Sequence, residues 1–141
     1  MTVILDTGAV VALMRDADRH HRAVRTWFEV TDEDLVTTPL AVAEMDYFAH
    51  RAGGHDAASR LWQDFESGAY TVRWWADAMS QTLTIARQHP WIGLVDASLV
   101  ALAGLLRTNR IVTVDDHFRS LTTPGGEAFV VLPADAETKG P

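Results

Sequence analysis

Short apolar runs alternate with amphipathic stretches along this chain. TVIL (2–5) reads as a wholly apolar strand, the kind buried on both faces of a parallel sheet. Residues 8–14 continue as a helix. DRHHRAVRTWFE (18–29) carries Ala23, Val24, Trp27 and Phe28 along one side, which predicts a second, amphipathic helix. DLVTT (34–38) is a second short strand, and Pro39 suits the first turn of a helix running to about Arg51. Gly53-Gly54 breaks that helix, and residues 55–67 form another, ended at Gly68. AYTVRW (69–74) alternates as a third strand. Residues 76–88 are helical again and stop before Pro90. WIGLVDASLVALAGLLRT (91–108) contains a long helix, apolar nearly all round, which predicts deep burial. RIVTV (110–114) and AFVVL (128–132) supply a fourth and a fifth strand.

Strands alternating with helices predict an α/β three-layer sandwich, with a mostly parallel central sheet of four to five strands flanked by helices. A single domain over 1–133 is expected, followed by a flexible tail over 134–141. In such sheets ligands bind outside the carboxyl ends of the strands, near a topological switch point.

Composition narrows the chemistry. At 141 residues and 48% hydrophobic, the chain is long enough for one sizeable core. It has no cysteine, so disulfides, thiolate metal sites and cysteine nucleophiles are excluded. The one lysine is Lys139, so neither a phosphate-binding loop lysine nor a buried Schiff-base lysine is available. The net charge of −7 argues against a protein that coats nucleic acid generally. No run approaches the roughly 18 apolar residues of a membrane span, and the first residues read as a strand rather than a signal peptide. A cytoplasmic location and no membrane association are expected.

Four acids stand out against this pattern. Asp6 interrupts VILDTGAV directly after the first strand, where it could cap the next helix or serve a site. Asp115 ends the fourth strand in the same way, in IVTVDD. Asp96 lies in the first turn of the most apolar helix. There the dipole favours an acid, but Val95, Leu99, Val100 and Ala103 suggest a buried carboxylate that needs a partner or a cation. Glu44 lies beside Leu40, Tyr47 and Phe48 on one side of its helix, either as a rim residue or as a fourth member of the set. Like charges brought together raise one another's pKa or require a cation. Oxygen-only ligands favour Mg²⁺ or Mn²⁺, ions that serve phosphodiester cleavage.

The ordered set VILDTGAV, TPLAVAEMDY, IGLVDASLVALA and IVTVDDHF resembles the PIN-domain family, most closely its VapC-like toxins, over nearly the whole chain. That resemblance implies a PIN-like sandwich and a Mg²⁺- or Mn²⁺-dependent endoribonuclease in which the ion activates water for in-line attack on RNA. It implies Asp6 and Asp96 as principal ligands, with Glu44 and Asp115 completing the acidic site directly or through water. Thr7 and Thr113 hydroxyls would hold that shell in place. Asp116 is an adjacent candidate; Asp115 is preferred because it directly continues the strand. Gly8 departs from the Ser that many relatives carry. A cognate antitoxin and a homodimer are further implications. The alternative is a PIN-like binding module that holds RNA or a protein partner without cleavage.

Other features read more plainly. Trp27, Phe28, Tyr47, Phe48, Trp62 and Phe65 are mostly core, though some could clamp a partner helix. Arg15, Arg19, Arg22 and Arg25 form a solvated face or contact RNA backbone. The Trp74-Trp75 pair is a strand-end core feature or a base-stacking one. The histidines lack metal-ligand spacing and read as surface or capping residues; His117 stands closest in sequence to the acids.

Overall fold

In the computed structural model, which describes residues 1–136, five parallel strands form one sheet in the order β3-β2-β1-β4-β5. The elements follow the chain as β1 (Thr2–Leu5), α1 (Thr7–Met14), α2 (His21–Val30), β2 (Asp34–Thr37), α3 (Pro39–Glu66), β3 (Thr71–Val72), α4 (Ala78–Gln88), α5 (Leu94–Leu106), β4 (Arg110–Val112) and β5 (Val130–Leu132). A 3-10 turn over Asp116–Ser120 lies between β4 and β5. The sheet is wholly parallel, as expected of strands that are apolar on both faces.

The strand order explains where a site should form. The chain winds outward from β1 through β2 to β3, then returns to the other side of β1 for β4 and β5. The reversal lies between β1 and β4, so the crevice at their carboxyl ends is the switch point. Right-handed crossovers put α1–α3 and α4–α5 on opposite faces of such a sheet. Accordingly α1 packs on α2 and α3, while α4 packs on α5. Val3, Ile4, Leu5, Ile111 and Val112 are buried at the centre, with Leu99 and Leu102 of α5 and Met45 of α3 fully covered.

The elements depart from the expected bounds for local reasons. α2 begins at His21 rather than residue 18, because Asp18 uses its side chain on the His20 N–H (2.8 Å) and its carbonyl on the His21 N–H (3.0 Å). The predicted break at Gly53-Gly54 is a kink within α3. Gly54 has φ 64°, ψ −152°, a conformation reserved for glycine. The expected third strand contracts to Thr71–Val72 at the sheet edge, where both residues are exposed. Tyr70 before it is buried against Phe28 and Phe65. After β5, Asp135 is tied into a turn by the Val131 N–H (2.8 Å) and by a two-pronged ion pair with Arg119. Of the expected tail, residues 137–141 lie outside the described residues.

Candidate active site at the β1–β4 switch point

Asp6 sits where the sheet's two halves diverge. Its backbone N–H continues the ladder onto Val112 C=O (3.1 Å), so its side chain leaves the sheet at the carboxyl edge. The carboxylate is 3% exposed. It accepts the Thr7 backbone N–H on Oδ1 (2.8 Å) and the Thr113 hydroxyl on Oδ2 (2.6 Å). Asp6 is therefore the N-cap of α1 as well as a candidate ligand. The cap bond reaches only the first helical N–H, that of Thr7.

Thr113 works in two directions. Its N–H continues the β4–β5 ladder onto Leu132 C=O (2.9 Å). Its hydroxyl donates to Asp6 and accepts the Asp115 N–H (3.0 Å). One side chain thus fixes two acids from neighbouring strands. Thr7 contributes through its backbone, whereas its own hydroxyl is buried without a partner.

Asp96 reaches the same edge from the first turn of α5. That turn is anchored by Ser98, whose hydroxyl pairs with Thr38 at the start of α3 (2.8 Å) and donates to Val95 C=O (2.7 Å). His117 then joins Asp96 to Asp115: Nδ1 lies 3.1 Å from Asp96 Oδ2, and Nε2 lies 3.6 Å from Asp115 Oδ1. The histidine that stands closest to the acids in sequence is exposed and yet touches two of them. The 3-10 turn that begins at Asp116 swings it back over the acids, a placement that no spacing rule reports.

The electrostatics show three negative groups in one field. Burial, followed by the charges of Asp96 and Asp115, pushes Asp6 up to about 7, against the lowering effect of the Thr113 hydrogen bond. Asp96 is raised chiefly by burial, with His117 opposing. His117 is itself raised, first by its hydrogen bond to Asp96. A buried carboxylate in this state accepts either a proton or a cation. The donor set is oxygen with one imidazole, which suits a hard divalent ion. As the side chains stand, no three acids or histidines among the described residues converge tightly enough to enclose an ion. The His117 ring lies between two of the carboxylates.

Glu44 projects from α3, half-buried, and takes no part in the network that joins the other three acids. Asp116 is exposed at the start of the 3-10 turn. Gly8 has a local cause: a Cβ there would lie 3.0 Å from Val114 Cγ2 and 3.8 Å from Asp6 Oδ2. Beside Asp115 a cleft of about 220 Å³ opens between α2 and the ends of β4 and β5, lined by His20, Ala23, Val114 and Pro133 among others. A larger cleft, about 820 Å³, lies between α4, α5 and the loop around Pro124, and none of the four acids lines it.

The aromatic residues divide. Trp27 is buried, and Phe28 and Phe65 pack on the core; Tyr47, Phe48 and Trp62 stay substantially exposed on α3. Arg25 pairs with Glu29 along the exposed face of α2 (2.9 Å). Trp75 packs against the core and donates to Gln81 (3.1 Å), while Trp74 is 38% exposed.

The model of the PIN domain matches residues 3–123. Ribonuclease VapC26 of Mycobacterium tuberculosis is 34% identical over 135 residues, covering 93% of this chain and all of that protein. Ribonuclease VapC29 of the same species is 30% identical over 134 residues, covering 94% of this chain and 98% of its own length. Among solved structures, M. tuberculosis VapC20, described as a sarcin–ricin loop cleaving toxin, superposes with a TM-score of 0.76. It is 20% identical, and the match covers 82% of this chain and 91% of that one. A toxin–antitoxin complex from Klebsiella pneumoniae superposes with a TM-score of 0.65 at 17% identity, covering 87% and 93%.

Proposed function

The chain belongs to the PIN-domain family, and from that premise we propose that it is a divalent-metal-dependent endoribonuclease, the toxin of a toxin–antitoxin pair. The single observation that carries the reading is the meeting of Asp6, Asp96 and Asp115 at the β1–β4 switch point, with Asp6 pushed up to about 7. Relatives named as ribonucleases over their whole length support RNA as the substrate class.

Asp6 and Asp96 are the principal ligands in this reading, with Asp115 and Glu44 completing the acidic site directly or through water. A bound Mg²⁺ or Mn²⁺ supplies Lewis-acid polarisation of the phosphodiester and eases deprotonation of water. The protein's own groups prepare for that role. Thr7 N–H and Thr113 Oγ1 grip one carboxylate oxygen each, so Asp6 is oriented before any ligand arrives. Asp6, with its carboxyl raised to about 7, would bind such an ion as the carboxylate. Ser98 and Thr38 hold the α5 turn that carries Asp96. His117, now in contact with both Asp96 and Asp115, would have to yield its place for an ion to be held by those two carboxylates.

The partner is a cognate antitoxin, and its docking face is assigned to the exposed Tyr47, Phe48 and Trp62 of α3, which suit the apolar side of a helix. A homodimer acting in the cytoplasm completes the proposal. The test is cleavage of total cellular RNA by the purified, antitoxin-free protein with Mg²⁺ or Mn²⁺ against EDTA. Discrete metal-dependent fragments are expected, and they should vanish with Asp6→Ala and Asp96→Ala proteins that keep the native circular dichroism spectrum. Absence of cleavage across tRNA, rRNA and mRNA would refute it.

A further inference from the structure

A large aromatic side chain stands open at the rim of the acidic site. Trp91 lies in the turn between α4 and α5 and is 51% exposed. The turn itself is fixed: Ile92 N–H donates to His89 C=O (3.0 Å), and the Ile92 side chain is buried. The indole therefore stays outside while its neighbour anchors the backbone. It packs edge-to-face against His117 with centroids 6.0 Å apart, and against His89 at 6.3 Å. His117 touches Asp96 and Asp115 in turn. Trp91 is thus one side chain removed from two of the three clustered acids.

A core role does not explain this placement, since half of the residue remains in water and its ring partners are imidazoles. A role toward substrate does. A chain of net charge −7 gains little general attraction for an RNA backbone. Stacking of unpaired bases on aromatic rings is a source of RNA affinity that needs no positive charge. We propose that Trp91 is a specificity-determining residue that stacks an unpaired RNA base next to the phosphodiester held at the acids. The proposal rests on the nuclease reading and adds to it the side chain that stacks the base beside the acids.

Fluorescence anisotropy tests it on the Asp6→Asn background, with Mg²⁺ present, so that substrate persists. The probes are a labelled random-sequence RNA of about twelve nucleotides and an abasic ribose-phosphate chain of the same length. The Trp91 protein should bind the RNA about tenfold more tightly than the abasic chain. Trp91→Ala should lose that preference by weakening on RNA alone, and Trp91→Phe should keep most of it. Equal preference in the Trp91 and Trp91→Ala proteins, both with native melting curves, overturns the proposal. So does full RNA affinity in Trp91→Ala with lost affinity for the antitoxin, which would assign the indole to a protein interface. Metal-dependent cleavage by the otherwise native protein, measured alongside, separates the two readings. Cleavage with no Trp91 effect defeats only the stacking role, whereas no cleavage and no RNA binding defeat both.

Discussion

The Thr113 hydroxyl donates to Asp6 Oδ2 at 2.6 Å, joining the ends of β4 and β1 across 107 positions of sequence. The bond opposes the burial that raises the Asp6 pKa, and the same oxygen holds the Asp115 N–H. Thr113→Val keeps the shape and removes both contacts. It should lower metal-dependent RNA cleavage by about 10- to 100-fold, the usual cost of losing a group that orients a ligand. Thr113→Ser should recover most of the activity. Initial rates at saturating metal check both.

Asp6 also sets a pH dependence. Its carboxyl titrates near 7 in the folded, metal-free protein and near 3.8 when unfolded. Between those values the folded state holds a proton that the unfolded chain has released, so stability falls as pH rises from about 4 to about 7. Asp96 and His117, both raised, slope the same way. Asp6→Asn should therefore melt higher than the unsubstituted protein at pH 8 without metal, by roughly 5 °C or more. The two should converge near pH 4. Calorimetric melting in EDTA across this range reads the slope directly.

Gly8 gives a steric test. Gly8→Ser puts a Cβ 3.0 Å from Val114 Cγ2 and should cost about 1 kcal/mol. Adding Val114→Ala removes the obstructing methyls, so the penalty of the serine should shrink in the double variant. Urea unfolding of the four proteins measures that coupling.

Gly54 is a second backbone constraint. At φ 64°, ψ −152° a side chain is strained even though nothing lies within 4 Å of the Cβ position. Gly54→Ala should destabilise by about 1–3 kcal/mol. It should also loosen the contact that Trp62 makes across the kink with Asp46 (2.7 Å), which antitoxin affinity would report.

The strand pattern made the sheet and its carboxyl edge readable, because wholly apolar runs of four or five residues have few other homes. Asp6 and Asp115 were legible as the residues that end such runs, and Asp96 as an acid inside an apolar helix. His117 was legible only as the histidine nearest the acids in sequence, since its contacts depend on a 3-10 turn with no periodic signature. Trp91 stood ahead of the helix that the 91–108 stretch contains, with no sequence signal of its own, and the start of α5 at Leu94 leaves it in a turn. The third strand shrank because alternation cannot tell an edge strand from a loop anchored by one buried Tyr70. The Gly53-Gly54 break in α3 was legible, but which of its aromatics stay exposed was not, because that depends on what packs against each half of the helix.

The central claim is that Asp6 interrupts the apolar run because it holds a metal ion. Isothermal titration of Mn²⁺ into the protein, Asp6→Asn and Asp96→Asn at pH 7.5 tests it without requiring a known RNA. Saturable binding that both substitutions weaken at least about tenfold, with proton release in the unsubstituted protein, is the predicted result. Equal Mn²⁺ affinity in all three folded proteins would contradict it and leave Asp6 as a helix cap.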